Sequence, residues 1–519
     1  MLAKIADLKV VATLLFIDLF APTGGHRPPQ QANAQILMAR CSAIIQNAEV
    51  QIAMRNRPQT ELVKGLGVFG ATSVVAGTMI GTAIFVVPGI MLQQVGTPSM
   101  VLVVWVAAGV LSLFGALAYA ELGAAMPQAG GEFVYMHRAY GPLFGFLYGW
   151  TQFIIAKTAS IAAIATGFVL YLAYFFPRLH ETLWGASLRF GGHAVELHLT
   201  GLQLGATLMV LLLSGLNVLG VRRSGAVQTL FTASKLLVLA ILIVMGLTYG
   251  HGSWQGFRPF FAAGGRGGLL TAFGVATVSA LWAYDGWNNL SMVAGEVQNP
   301  QRNIPLALIV GALLVLIVYV LVNLAYFYVL PASQVLGTKT VASDAARRFL
   351  GNAGGAFIAV GVMISTFATL NGSILAGSRI PYATAREGLF PAALAAVHPR
   401  FHTPAVSLAG QAIIAGLFAL TGQYQSLYTK VIFSEFLFYA LCTAGVFVLR
   451  RREPDLPRPY RTWGYPLVPA VFVILAVCLL VNTFWQQRAD SMWGVVLVGS
   501  GIPAYWIWKA WVRHYRCPN

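Results

Sequence analysis

Charged residues are scarce in this sequence. Aspartate, glutamate, lysine and arginine make up only 9% of the 519 residues, and 57% are hydrophobic. A soluble domain normally carries about a quarter charged residues, so most of this surface must face something other than water. Apolar runs of about 20 residues, the length that crosses a bilayer as a helix, recur after residue 67. The short alternating segments of a membrane β-barrel are not seen. We therefore expect an all-α integral membrane protein.

The groups that bind metals or perform catalysis are also missing. The four cysteines (Cys41, Cys442, Cys478 and Cys517) do not have the spacing of metal ligands. The sequence contains no His-Glu-x-x-His motif, no paired intramembrane aspartates and no Gly-x-Ser-x-Gly motif. These absences argue against an intramembrane enzyme. They also predict no metal, no cofactor and no disulfide framework.

The net charge of +17 would suit a nucleic-acid binder if the basic residues formed one patch. They lie instead in short clusters between the apolar spans, as in the cytoplasmic loops of membrane proteins. We therefore expect membrane lipid, and no nucleic acid, around this protein.

Apolar runs between polar breaks predict about twelve spans. Their approximate limits are 67–93, 99–124, 142–176, 200–219, 225–249, 268–295, 304–330, 355–384, 404–421, 426–449, 465–484 and 491–511. If the N-terminus is inside, the inside segments hold eighteen lysines and arginines against eight outside. This positive-inside bias predicts a multi-pass inner-membrane protein with both termini in the cytoplasm.

The first 60 residues differ from the rest of the chain. Residues 10–20 are apolar but too short to span a bilayer, and Asp18 interrupts them. A signal peptide is conceivable, but its cleavage would oppose the charge pattern. We favour a disordered extension or a mis-assigned start, with Met54 as the physiological one.

Two predicted spans contain residues that an ordinary apolar helix does not need. The stretch from Gly77 to Phe85 puts glycines and hydroxyls at mid-depth in the first span. The stretch from Trp282 to Asn289 puts an acid, a glycine and two amides there in the sixth. Close helix packing would also explain small residues in the first span. Asp285, however, costs at least a few kcal/mol in hydrocarbon unless it lines a cavity or finds a partner.

A broken helix exposes N–H groups at one new end and C=O groups at the other. These ends suit the carboxylate and the ammonium group of a zwitterion. The two breaks lie five spans apart, and because five is odd, a repeat of five spans returns upside down. The two breaks would then meet across a pseudo-two-fold axis in the membrane.

Several motifs together resemble the amino acid–polyamine–organocation transporter superfamily, and most closely its L-type amino acid transporter branch. They are spread over roughly residues 65–450. They comprise Gly81-Thr82-Ala83-Ile84-Phe85, Ala120-Glu121-Leu122-Gly123, Pro127-Gln128-Ala129-Gly130-Gly131-Glu132-Phe133, Phe146-Leu147-Tyr148-Gly149-Trp150, Tyr284-Asp285-Gly286-Trp287-Asn288, Asn299-Pro300-Gln301-Arg302-Asn303-Ile304-Pro305 and Ala385-Arg386-Glu387-Gly388.

The resemblance implies two inverted five-helix repeats, with the first and sixth helices broken, and two peripheral helices. We assign residues 61–249 and 250–450 to the repeats and 451–519 to the last two helices and the tail. The resemblance also implies a substrate site at the breaks, made of Met79, Ile80, Gly81, Thr82, Ala83, Trp282, Asp285 and Asn288.

Roles follow from the same resemblance. The N–H groups of Thr82 and Ala83 would hold the substrate carboxylate. The α-ammonium would go to carbonyls of the broken helices (Met79, Trp282 and Asp285). Asn288 would lock the sixth span against the first, and the Trp282 side chain would cover the substrate. The family usually has serine and glycine at the positions of Thr82 and Ala83, so the added methyl groups put bulky substrates in doubt.

Lys235 lies about eleven residues into the fifth span, too deep for easy snorkelling. In the family, a lysine here replaces the sodium ion of related transporters and bridges the first, fifth and eighth spans. The matching polar residues of the eighth span are Thr366, Thr369, Asn371 and Ser373, of which we assign Thr369 and Ser373 to coupling. A structural pin between helices is the alternative role for Lys235.

Three other charged residues have ordinary interpretations, and a fourth, Asp285, leaves two roles open. Lys157 and Glu435 are deep, and we expect each to find a polar partner and a structural role. Glu121 ends the second span, where a solvated or capping acid is usual. Asp285 could attract a cationic substrate or brace the broken helix, and the sequence does not favour either.

The predicted function is sodium-independent amino acid transport, with exchange favoured. The alternatives are proton-coupled uptake of amino acids or polyamines, and less favoured, a membrane sensor or a channel. Relatives with a disulfide-linked heavy chain carry a cysteine between the third and fourth spans. Residues 177–199 contain none, so we expect no such partner.

Overall fold

The computed structural model describes residues 62–519, except 191–192, 262–267, 338–340, 422–423, 487 and 517–519. The predicted extension of residues 1–60, with its apolar stretch and Met54, lies outside the described residues. The predicted all-α fold is confirmed for nearly all of the described chain, as the bounds of the elements show.

The helices of the first half, with one hairpin, follow the predicted spans closely. They are α1 Val68–Met79, α2 Ala83–Val95, α3 Pro98–Ala125, α4 Glu132–Tyr140, α5 Pro142–Thr151, α6 Lys157–Leu172, strands β1 Thr182–Phe190 and β2 His193–Thr200, α7 Gly201–Val218 and α8 Val221–Tyr249. A π-helical turn, Gln152–Ala156, joins α5 to α6 into one continuous span.

The second half repeats the pattern of long helices with one short break. Its helices are α9 Leu269–Tyr284, α10 Asn289–Met292, α11 Pro300–Val329, α12 Ala332–Gly337, α13 Val341–Leu350, α14 Ala353–Gly377, α15 Arg379–Arg386, α16 Ala405–Leu420, α17 Tyr424–Arg452, α18 Leu467–Gln486 and α19 Arg488–Arg516.

Among the described residues, eight helical segments are long and apolar enough to cross a membrane. The pair α1 and α2 forms a ninth span that bends by 43° at its break. Helices α9 and α16 are apolar but shorter. The multi-spanning architecture is therefore confirmed. The total of twelve spans and the division into inverted repeats stay predictions.

The antiparallel hairpin β1–β2 departs from the all-helical expectation. It lies between the third and fourth predicted spans, where we expected only a loop. Its second strand alternates apolar Val195, Leu197 and Leu199 with polar Glu196 and His198, a period of two that favours a strand. Thr200 then begins α7 with a capping box that includes Gln203.

The chain segment before α1 is fastened to the segment after α10. The backbone N–H of Leu66 donates to the carbonyl of Glu296 at 3.0 Å, and the N–H of Gln298 donates back to Leu66 at 2.8 Å. Arg379, at the start of α15, meets the Glu296 carboxylate through two hydrogen bonds of 2.5 and 3.0 Å, and both side chains are fully buried. One end of the first, sixth and eighth predicted spans is therefore held together.

Candidate functional site

The first span is interrupted between α1 and α2. Helix α1 ends at Met79, Ile80 turns to extended geometry (φ −76°, ψ 90°), and α2 begins at Ala83. The first N–H groups of α2 and the last carbonyls of α1 therefore have no partner within their own helices. Bare peptide groups at this depth persist only beside protein or a water-filled cavity.

The sixth span is interrupted between α9 and α10. Helix α9 ends at Tyr284, Asp285 is extended (φ −63°, ψ 150°), and α10 begins at Asn289. Gly286 has φ +107°, and a Cβ there would lie 3.0 Å from the carbonyl carbon and oxygen of Thr78. Only glycine fits this conformation and this close approach. The Thr78 hydroxyl lies 2.8 Å from the Gly286 carbonyl oxygen and 2.6 Å from the Val74 carbonyl oxygen of its own helix, so the end of α1 contacts the break of the sixth span directly.

A small cavity of about 40 Å³ lies between the breaks. This volume holds only a few water molecules. Its lining includes eight of the eleven residues predicted for substrate binding or coupling, namely Met79, Gly81, Thr82, Ala83, Trp282, Asp285, Thr369 and Ser373. Ile80, Lys235 and Asn288 are buried but do not line it.

Six further residues line the cavity that the sequence did not assign to it. They are Thr78, Lys157, Ser160, Ile164, Gly286 and Asn289. Thr78, Gly286 and Asn289 fall inside the two motif stretches, so closer attention to those stretches would have found them. Lys157, Ser160 and Ile164 lie on α6, and their spacing of three and four residues puts them on one helix face.

Lys235 is enclosed by oxygen atoms. Its ammonium group donates to the carbonyls of Gly77 and Ile80, each at 2.6 Å, and to the carbonyl of Ser365 at 3.2 Å. The Thr369 hydroxyl oxygen lies at 3.3 Å. These atoms belong to α1, the first break and α14, so Lys235 bridges the first, fifth and eighth spans as expected.

The other polar residues predicted for this bridge lie elsewhere. Thr366 donates to the Val362 carbonyl within its own helix. Asn371 pairs with Asn217 and Gln228. Ser373 faces the cavity without a hydrogen bond to Lys235. Among the described residues, the eighth span therefore meets the ammonium group at Ser365 and Thr369.

The comparisons with known proteins agree with this architecture. Residues 66–506 match the amino acid permease family. The chain belongs to this family. It is 32% identical to the serine/threonine exchanger SteT of Bacillus subtilis (strain 168), over 86% of this chain and 97% of the relative. It is also 32% identical to the human cystine/glutamate transporter, over 88% of each chain.

The human b(0,+)-type amino acid transporter 1 is a further relative, 32% identical over 90% of this chain and 92% of its own length. The family and these relatives identify the chain as a membrane transporter and not an enzyme. They also confirm the resemblance to the amino acid–polyamine–organocation superfamily and its L-type branch.

One tyrosine that the sequence did not single out connects both breaks of the transporter. The hydroxyl of Tyr319, on α11, lies 2.8 Å from the Met79 carbonyl and 2.9 Å from the Ala283 carbonyl. Met79 ends α1, and Ala283 is the last residue but one of α9. A carbonyl oxygen has two lone pairs, so Met79 keeps one for another donor. The sequence around Tyr319 does not indicate this role, because a tyrosine on an apolar span is common.

Asp285 has a protein partner as well as a position at the cavity. The Tyr439 hydroxyl, on α17, donates to its carboxylate at 2.6 Å. This bond braces the break, while the lining position leaves the carboxylate group beside any bound substrate. Both roles left open by the sequence are therefore compatible with this position.

The predicted polar partners of Lys157 and Glu435 are present. The Lys157 ammonium donates to the Asn289 side-chain oxygen at 2.5 Å, and the Gln152 amide donates to Glu435 at 2.9 Å. Lys157 also lines the cavity. Lys157 therefore has both a structural partner, Asn289, and a position at the cavity.

The expectation for Glu121 was wrong. Its carboxylate is only 2% exposed, receives two hydrogen bonds from Arg450 at 2.9 and 2.7 Å, and accepts a third from the Thr462 backbone at 2.7 Å. A buried carboxylate needs such partners. The sequence could not show that a loop 341 residues further along the chain folds back over it.

Asn288 also differs from its predicted contact. Its amide donates to the Glu132 carboxylate at 2.6 Å, so it links the sixth span to α4 and not to the first span. The link between the first and sixth spans is made by Thr78 instead. Asn288 remains a predicted substrate residue, although it does not line the cavity.

Within the described part of the chain, no group of three or more histidine, cysteine, aspartate or glutamate side chains is placed to hold a metal ion. The charges around the cavity come from Asp285 and Lys157. The chemistry available there is hydrogen bonding and charge pairing, which suits binding and release of a small polar molecule.

Proposed function

We propose that this protein exchanges amino acids across the inner membrane by alternating access, independently of sodium. The observation that carries the proposal is the cavity between two broken helices. One break presents the N–H groups that begin α2, and the other presents the carbonyls that end α9. A zwitterion has one charged group for each.

In this proposal the substrate carboxylate binds the N–H groups of Thr82 and Ala83. The α-ammonium group binds carbonyls at the ends of α1 and α9, with Met79, Trp282 and Asp285 as the contributors. Ile80 and Gly81 belong to the non-helical backbone between α1 and α2. The Trp282 side chain covers the site. Asn288 contributes indirectly, by holding the start of α10 against Glu132.

Lys235 supports the proposed sodium independence. Its ammonium group already occupies a place among four oxygen atoms at 2.6 to 3.3 Å. A sodium ion at that place would meet the positive charge of the lysine. Thr369 is part of the same set of contacts, and both Thr369 and Ser373 line the substrate cavity.

The substrates we propose are small. The cavity of about 40 Å³ must widen for any amino acid, and the Thr82 methyl group narrows it further. Serine and threonine, the substrates named for the Bacillus subtilis relative, are of suitable size.

Exchange is favoured over proton-coupled uptake of amino acids or polyamines because one of the relatives is named as an exchanger. The excess of basic residues in alternate loops supports cytoplasmic termini. The absence of cysteine between residues 177 and 199 supports transport without a disulfide-linked heavy chain.

Counterflow in proteoliposomes tests the proposal. Vesicles loaded with unlabelled serine should take up labelled serine faster than empty vesicles, because a carrier returns faster when loaded. A channel would show no such acceleration, and that result would refute exchange. Replacing sodium with choline should leave the rate unchanged, whereas a strict need for sodium would refute the role of Lys235.

A further inference from the structure

Glu132 carries a carboxyl group that the transport proposal does not use. It begins α4, the short helix between the second and third spans, and its side chain is fully buried. Among the described residues, no arginine, lysine or histidine lies within ion-pair distance of it. A buried carboxylate without a counter-ion is strongly disfavoured.

The backbone around Glu132 is built for close contact with the broken sixth span. The N–H of Gly130 donates to the Met292 carbonyl, at the end of α10, at 2.8 Å. A Cβ on Gly131 would lie only 2.8 Å from the Met292 nitrogen. These two glycines let the chain approach α10 closely enough for Glu132 to reach Asn288.

Glu132 and Asn288 share one hydrogen bond, and each side chain has a second polar atom that is buried without a partner among the described residues. One carboxyl oxygen, Oε1, accepts the Asn288 amide at 2.6 Å. The other oxygen, Oε2, and the Asn288 side-chain oxygen Oδ1 are both buried and make no hydrogen bond with any described residue. Both are acceptors, so an ionised Glu132 leaves two buried acceptors without a donor.

We propose that Glu132 and Asn288 form a proton-binding pair. A proton on Oε2 of Glu132 is donated to Oδ1 of Asn288, while the Asn288 amide donates to Oε1. One proton thus gives both unpaired acceptors a share in a hydrogen bond and closes a ring of two bonds between a carboxylic acid and an amide. Deprotonation returns the proton to water and breaks one of the two bonds.

Several titratable groups face Glu132 from the elements packed around it. They are Tyr119 on α3, Tyr135 on α4, Tyr148 on α5, Lys157 on α6, and Glu435, Tyr439 and Cys442 on α17. Lys157 favours the ionised form of Glu132, and Glu435, when ionised, favours the protonated form. The hydroxyl of Tyr148 makes no hydrogen bond within the described residues.

Burial raises the pKa of Glu132 to about 7, although the Asn288 hydrogen bond, a backbone hydrogen bond, the Lys157 charge and the nearby Tyr148 hydroxyl all lower it. The proton is therefore exchangeable near neutral pH. Because Asn288 immediately precedes α10, the proton fastens the second half of the broken sixth span to α4. Loss of the proton loosens that attachment.

Infrared difference spectroscopy on the purified full-length protein tests the pair. Between about pH 5 and about pH 9, the wild type should show the C=O band of a protonated buried carboxyl group, with a midpoint near 7. The part of this band with a midpoint near 7 should be lost in Glu132→Gln and kept in Glu435→Gln, which removes the neighbouring buried carboxyl group, and in the control Glu453→Gln, whose carboxylate is partly exposed and bonded to Arg138. A wild type that shows no such band at about pH 5 would overturn the proposal.

A second measurement needs no variant. Labelling the glutamate carboxyl groups of the wild type with ¹³C should shift the titrating band, since the band belongs to a glutamate. An unshifted band would assign the proton to another group and refute the proposal. Neither measurement involves transport, so their failure leaves the exchange proposal standing.

Thermal unfolding independently checks whether the proton on Glu132 stabilises the folded protein. A folded-state pKa above the unfolded value means that the folded protein binds the proton more tightly than the unfolded chain. The stability that this proton contributes is complete at low pH and is lost as pH rises to about 7. The Tm of the wild type relative to Glu132→Gln should therefore fall with rising pH, and a constant difference would contradict the pair.

Discussion

Replacing Lys235 with methionine should abolish most transport while leaving the protein folded. Methionine has a similar length and no charge, so the side chain still fills its place on α8. The change removes the two short hydrogen bonds, each 2.6 Å, that hold the carbonyls of Gly77 and Ile80. One of these carbonyls lies in the last turn of α1 and the other lies in the break of the first span.

The expected size of the effect follows from those two bonds. A hydrogen bond to a charged group contributes about 1.5–3 kcal/mol. Two of them give about 3–6 kcal/mol toward the arrangement in which the first span contacts α8 and α14. Each 1.36 kcal/mol is a factor of ten in rate, so exchange through this arrangement should fall by at least about 100-fold.

Counterflow of labelled serine in proteoliposomes measures this loss, with Lys509→Met as the matched control because Lys509 lies near the end of α19, far along the chain from the breaks. Thermal unfolding of the same samples distinguishes lost transport from lost folding. Removing a buried ammonium group also removes its desolvation cost, so the Tm should change little. Exchange by Lys235→Met within a factor of about three of the wild type, a loss below one factor of ten, would refute the argument.

Two further changes test the geometry of the breaks. Gly286→Ala should lower both the Tm and the exchange rate, because φ at this position is +107° and the new Cβ would press on the Thr78 carbonyl group. Such backbone strain costs about 1–3 kcal/mol. A normal exchange rate would contradict this expectation by showing that the break can rearrange. Tyr319→Phe removes the hydroxyl that contacts both Met79 and Ala283. A net hydrogen bond contributes about 1 kcal/mol and 1.36 kcal/mol is a factor of ten in rate, so exchange should fall about fivefold at an almost unchanged Tm. An unchanged rate would refute its role.

The parts of the fold set by local composition could be predicted. Long apolar runs fixed the spans to within a few residues, because the bilayer requires them. The breaks were visible because glycine, Asp285 and side-chain amides are unusual at that depth. The pairing of Lys235 with the first and eighth spans was implied by the resemblance, and the geometry agrees.

Contacts between distant segments could not be predicted in the same way. Tyr319 and Tyr439 resemble many other aromatic residues on apolar helices, and only the packed structure shows that their hydroxyl groups meet broken backbone and Asp285. The same holds for Glu121, whose partner Arg450 is 329 residues away. Which residues meet across a bundle depends on helix rotation and tilt, and residue pattern alone does not specify these.

The hairpin of β1 and β2 was missed for a different reason. Its second strand has the alternation of a strand, but it is too short to appear among apolar runs long enough to cross a membrane. Short structured elements between spans need a separate search at a period of two.

The fastening of the segment before α1 to the segment after α10 has a consequence for movement. Two backbone hydrogen bonds and a fully buried ion pair connect Leu66, Gln298, Glu296 and Arg379. Withdrawing the first span alone would strand the Glu296 carbonyl, and withdrawing the eighth alone would strand the Glu296 carboxylate. Separating either span from the sixth at this end would therefore leave a buried polar group without its partner, so we expect the three spans to move here as one unit.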